Sequence, residues 1–203
     1  MIVTRGVLMA TVASCLVVTA AVLGFTYRAS EPSAPRESAP QGPFAWLKQT
    51  SLPQGWTQLD GASSVGPLPL PPGFHAVAGD RGTLTAVLFG RGGADLGYLN
   101  VTPRQGVERL VGWPKFRLEH LREDDASSAR EERATQLVGT GTALRSCVVH
   151  DYVTRVGGHR FHEVACLVVQ HSAGSVIVAA TPSGDPAHVW AVLQRAVAAY
   201  PAA

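Results

Sequence analysis

The sequence predicts an α+β fold: an antiparallel β-sheet packed by helices, preceded by one N-terminal transmembrane helix and a disordered linker. Three observations lead there. An uninterrupted apolar run, residues 6–25, stands near the start of the chain. Two β-rich arms, 144–155 and 160–170, flank a Gly-Gly turn and carry one cysteine each. A closing segment repeats Val189, Leu193, Ala196, Val197 and Tyr200 at helical spacing on one face.

The apolar run has the length of a helix that crosses the bilayer hydrocarbon. Residues 1–26 are therefore expected to be a transmembrane helix or signal anchor, with membrane contact through residues 7–26. Arg5 before the run and the near-balanced charge after it place the N-terminus in the cytoplasm and the remainder outside the plasma membrane. Two alternatives remain open. Ala20-Ala21 or Arg28-Ala29-Ser30 offers a signal-peptide cleavage site, which would give a secreted protein. Val12-Ala13-Ser14-Cys15 has the form of a lipobox, which would anchor the chain by lipid at Cys15, but the residues after Cys15 are apolar where a lipoprotein carries a polar tether. Residues 27–43 hold Pro32, Pro35, Pro40 and Pro43 among Ser, Ala, Glu and Arg. No hydrophobic period runs through them, so a disordered spacer is expected. Residues 44–203 are left as an extracytoplasmic α+β domain, roughly 160 residues and large enough for a substantial core.

Within the domain, residues 44–48 suggest a short helical turn, and the Pro/Gly-rich stretch 61–73 a loop whose apolar members tuck against the core. Residues 83–90 and 97–102 read as neighbouring strands, and Pro103 ends the second because it cannot donate to a ladder. Residues 105–123 suggest two helical segments, with Pro114 in the first turn of the second. Residues 131–138 form another expected strand. Placing Cys147 opposite Cys166 also aligns Val149 with Val164, His150 with Glu163, Asp151 with His162 and Tyr152 with Phe161. Each such pair is worth a few tenths to about 1 kcal/mol, and a one-residue slip loses them together. A Cys147–Cys166 disulfide follows, and with it an oxidising compartment; two buried free thiols are the alternative. Residues 175–181 are continuously apolar, as in a strand buried on both faces. Asp185 as N-cap and Pro186 at the first helical position open the last helix.

Pro53-Gln-Gly-Trp56, Leu99-Asn-Val-Thr102, the long paired strands and a C-terminal helix carrying Trp190 resemble the PsbP-like α/β/α sandwich domain. The resemblance extends to small secreted or membrane-anchored actinobacterial proteins of the LpqN type and covers roughly residues 44–201. It implies a non-catalytic binding or assembly module; no functional residue is carried over with it.

The chemistry-bearing residues point the same way. Basic and acidic side chains number 17 and 15 and alternate along the chain, so nucleic acid is not expected as a partner. His150 and Glu163 fall on one face of the arms and Asp151 and His162 on the other, so no face gathers the three or four ligands of a metal site. No Gly-x-Ser-x-Gly elbow is present, and Gly90-Arg-Gly-Gly93 lacks the Lys-Ser/Thr of a phosphate loop. No catalytic residue, metal or cofactor is expected. Trp56, Trp113, His150 and His162 are the candidate binding residues, with core packing as the competing role of the tryptophans and cross-strand pairing that of the histidines. The sequence thus favours a membrane-anchored, non-enzymatic envelope protein that binds an unknown protein or small molecule. An envelope hydrolase or transferase is the alternative.

Overall fold

The structure is a computed structural model that describes residues 42–201, apart from 49, 61–64, 125, 141–142, 171–172 and 185–186. The expected membrane segment 1–26, the linker up to Gln41, and the Asp185-Pro186 cap lie outside the described residues. No helix among the described residues is long and apolar enough to cross a membrane.

A 3-10 turn at Gly42–Phe44 leads into a two-stranded ribbon of β1 (Thr57–Leu59) and β2 (Leu68–Leu70). The rest of the strands build one antiparallel sheet: β3 (Phe74–Val77), β4 (Leu84–Phe89), β5 (Asp95–Pro103), β6 (Ala126–Thr140), β7 (Ala143–Thr154), β8 (Arg160–Gln170) and β9 (Ala173–Pro182). Their order across the sheet is β3-β4-β5-β9-β8-β7-β6. Helix α1 (Trp113–Asp124) enters between β5 and β6, and α2 (Ala187–Ala199) follows β9.

The β7–β8 register is the one the side chains favour: Cys147 opposite Cys166, Val149 opposite Val164, His150 opposite Glu163, Asp151 opposite His162 and Tyr152 opposite Phe161. A disulfide joins Cys147 to Cys166, and both residues are fully buried. Gly157 and Gly158 take φ of 81° and 64° in the connecting turn, a region that costs most L-residues energy. Thr154 locks this turn, its hydroxyl donating to the Val156 carbonyl at 2.7 Å and accepting from the His159 amide at 3.0 Å.

Strand parity then distributes the core. Cys147, Val149, Val164, Cys166, Val168, Ile177, Ala179, Leu99 and Val101 face α2, whose Val189, Leu193, Ala196 and Val197 cover them. Val148, Ala165, Leu167, Val176 and Val178 face the opposite way, toward Trp113 of α1. Each fully buried Val or Leu side chain contributes about 1.5–3 kcal/mol. Arg145 secures the end of α2: fully buried, it donates Nη1 to the Val197 carbonyl at 2.7 Å and Nη2 to the Tyr200 carbonyl. Burial lowers its pKa from 12.5 to about 10, so it stays charged at neutral pH and satisfies carbonyls the helix leaves open.

Two expectations need correction. Residues 105–112 are not helical; only the segment from Trp113 is, with Pro114 in its first turn. Glu108 folds back to accept the Gln105 amide through both carboxylate oxygens, at 3.0 and 3.2 Å, and Arg104 Nε donates to the Glu108 carbonyl at 3.0 Å. Gly112 then turns the chain at φ 85° just before the helix. The second correction lies in the Pro/Gly-rich stretch, where Leu68–Leu70 forms a strand pairing Pro69 with Gln58. A two-stranded ribbon tolerates the missing donor, because only one edge of the proline strand is paired. Val65 and Leu68 do pack into the core.

The disulfide closes a loop with a sequence separation of 19. Loop-closure entropy puts its contribution near 3 kcal/mol. The Cys147→Ser/Cys166→Ser double variant is expected to unfold in urea with stability lowered by about that amount, and an unchanged midpoint would contradict the structural role.

Candidate functional site

Helix α1 packs on β6 and β7, off-centre on its side of the sheet. The β9 side chains on that side are short: Val176, Val178, Ala180 and Pro182. Tyr98, Asn100 and Thr102 of β5 rise on one flank, and Phe161 and Glu163 of β8 on the other. The result is an open cleft of about 920 Å³. Trp113, Phe116, Arg117, His120, Leu121 and Asp124 line its α1 wall at the i, i+3, i+4 spacing of one helix face.

The wall is largely aromatic. Phe116 sits 5.9 Å from Trp113 and stacks on His120 at 6.1 Å, while Tyr152 stacks on Phe161 at 5.4 Å. The Trp113 indole is fixed by donating to the Ala165 carbonyl at 3.1 Å. Asn100 is held by its amide group donating to the Thr85 hydroxyl at 2.9 Å.

A charged group reaches the floor. Glu163 is 2% exposed, yet it borders the cleft. Arg117 donates Nε and Nη2 to Glu163 Oε1 at 3.0 and 2.8 Å. His150, fully buried behind them, brings Nε2 to 3.1 Å from the same oxygen, in a short but poorly aligned contact. Glu163 Oε2 takes part in no hydrogen bond among the described residues. Burial pushes the Glu163 pKa up, but the Arg117 charge and the His150 contact outweigh it and bring the value from 4.5 to about 2. The floor of the cleft therefore carries a carboxylate that stays ionised at neutral pH, with Oε2 unpartnered among the described residues.

The four residues singled out from sequence do not converge. Trp113 lines the cleft, and His150 is sealed beneath it. Trp56 packs with the α2-side core, under the Arg195 guanidinium at 5.7 Å. His162 binds Asp151 through Nδ1 at 2.7 Å and meets Trp190 edge-on at 4.2 Å, beside a shallow depression of about 280 Å³. His150 and His162 each meet a carboxylate, as does His120, which pairs with Asp124 at 3.1 Å on the α1 wall. Arg117 and Tyr98 were not visible as site residues. Their signals were the mixed aromatic and charged face of α1 and the small side chains at alternate positions of β9.

No protein-family model matches the chain, and no curated protein matches it in sequence. Solved structures match it by backbone shape. They include the Ran-binding protein Mog1p of Saccharomyces cerevisiae, at 15% identity and TM-score 0.50 over 70% of this chain and 90% of that one. A Pseudomonas aeruginosa protein of unknown function matches at 13% identity and TM-score 0.48, over 73% and 97% of the two chains. LpqN of Mycobacterium tuberculosis, involved in cell envelope biogenesis, matches at 13% and TM-score 0.34, over 73% and 76%. At 15% identity the likeness to Mog1p is one of fold alone. The helices on both faces of an antiparallel sheet in this chain are the arrangement the PsbP-like resemblance implied.

The folded chain keeps Glu163 ionised down to about pH 2, while the unfolded chain takes up that proton near 4.5. The carboxylate's contribution to stability is full above 4.5 and is lost as the pH falls toward 2. Urea unfolding at stepped pH is expected to show that loss. Glu163→Gln, destabilised by about 3 kcal/mol at neutral pH, is expected to decline less steeply across the window; a parallel decline would refute the assignment.

Proposed function

We propose that this chain is a membrane-anchored, extracytoplasmic binding protein of the cell envelope, whose α+β domain takes a small ligand or partner segment in the α1-side cleft without catalysing a reaction. The cleft carries this reading: its volume of about 920 Å³ is that of a small-molecule site, and its apolar walls enclose a few fixed polar groups. The apolar N-terminal run and the spacer after it support the anchored placement. The Cys147–Cys166 disulfide supports an oxidising compartment. Mog1p, which shares the fold, is by name a binding protein.

Thr102 stands on the β5 flank of the cleft and is only partly buried, so a large residue there blocks the space without disturbing the core. Full-length protein purified from its native membrane is expected to retain a small-molecule adduct in native mass spectrometry. Thr102→Trp is expected to lose it while keeping its melting temperature. Equal adduct content in both proteins would remove the cleft from consideration.

The enzyme alternative rests on His120 and Asp124, a carboxylate–imidazole pair facing the cleft at 3.1 Å. It requires that His120→Gln abolish a turnover activity of the full chain and leave ligand binding intact.

A further inference from the structure

We propose that the cleft selects an organic cation with N–H donors, an ammonium or guanidinium on an apolar body, its donor meeting Glu163 Oε2 and its charge resting among the aromatic side chains. The inference names the ligand class of the binding site read above and rests on that reading.

Sheet register defines the slot. Tyr98 of β5 lies opposite Ala180 of β9, and Ala180 lies opposite Glu163 of β8. Tyr98 and Glu163 are thus two strand spacings apart, about 10 Å, with only a methyl group between them. Phe161 and Tyr152 stack beside this gap. Val178 and Val176 continue the trough along β9, which suits an apolar body behind a polar head.

Polar satisfaction selects the head group. Both Arg117 nitrogens and the His150 nitrogen converge on Oε1, so the pairing is one-sided where a bidentate fork would have used both oxygens. A carboxylate accepts several hydrogen bonds, and Oε2, which takes none from the described residues, is left to the open cleft. An N–H donor entering from the cleft meets that need; a ligand carboxylate would face it with like charge.

The remaining charges agree. Asp80, Asp95 and Asp124 line the same cleft. Of the two arginines there, Arg117 is paired with Glu163, and Arg155, which keeps its charge while donating Nη2 to the carbonyls of Arg122, Glu123 and Ala126, is outnumbered by the three aspartates. The approach is therefore negative, which steers cations inward. Aromatic faces within reach of a cation add attraction that a neutral ligand of the same shape does not receive.

Isothermal titration of the full chain at pH 7 with benzylammonium, benzyl alcohol and benzoate separates these effects. Benzylammonium is expected to bind at least tenfold more tightly than benzyl alcohol, and benzoate to show no heat. Glu163→Gln/Arg117→Met, which removes both partners of the buried pair, is expected to reduce the ammonium preference below threefold while benzyl alcohol still binds. The exposed pair Asp95→Asn/Asp124→Asn, which leaves the core untouched, is expected to weaken benzylammonium severalfold at low salt and little at high salt. Equal affinity of ammonium and alcohol, both abolished by Thr102→Trp, would overturn the cation inference and leave the binding site standing. No binding of any of the three would sink both.

Discussion

One pairing, Cys147 beside Cys166 on neighbouring antiparallel strands, decides what faces each side of the sheet. Side chains alternate, so this register commits Val149, Val164 and Ile177 to the α2 side and Val148, Ala165 and Val178 to the α1 side. It also sends Glu163 and His150 under α1 while Asp151 and His162 face the other way. A slip by one residue would carry Glu163 toward α2, away from Arg117, and leave a buried carboxylate with no counter-charge. The disulfide and the ion pair thus enforce the same alignment by different means. One restrains the unfolded chain; the other penalises the wrong fold.

The strands were legible wherever their own side chains set the outcome. The two arms declared their register through several mutually compatible pairs, and β9 declared its double burial by a run with no polar interruption. Helix α2 was legible from a single apolar stripe. Failure came where tertiary contact overrode local pattern. Residues 105–112 have helical spacing of apolar side chains, yet Val107 and Val111 are 66% and 71% exposed. With no surface to bury them against, the spacing confers nothing, and the Glu108–Gln105 bonds hold a loop instead. The Leu68–Leu70 strand is the converse: its prolines argued for loop, but packing of Leu68 against the core holds it extended.

The site was less legible than the fold, for a related reason. A cleft is made by what does not fill it, and sequence pattern reports only what is present. Trp113 and the neighbours of Glu163 could be read as features, but the space above Ala180 arises because α1 is displaced toward β6 and β7. Nothing in the local sequence fixes that displacement. Arg117 acquires its meaning only across 46 positions of chain, where it meets Glu163. His150 and His162, adjacent in the register argument, end on opposite sides of the sheet for the same reason of parity that made the hairpin readable.

What the cleft offers chemically follows from how its groups are held. Catalysis by proton transfer needs a group whose pKa lies near the working pH and which reaches the reacting atom. Glu163 is displaced the other way, to about 2, and its Arg117 contact holds it as an anion. A carboxylate so committed makes a poor general base and a good fixed acceptor. Trp113 and Asn100 are likewise anchored by hydrogen bonds to the sheet. Groups fixed in advance lower the ordering cost of binding, which favours recognition of a complementary ligand. The buried charge beneath the cleft is better explained by that use than by stability, since an apolar triad of similar volume would hold the two layers together at least as well.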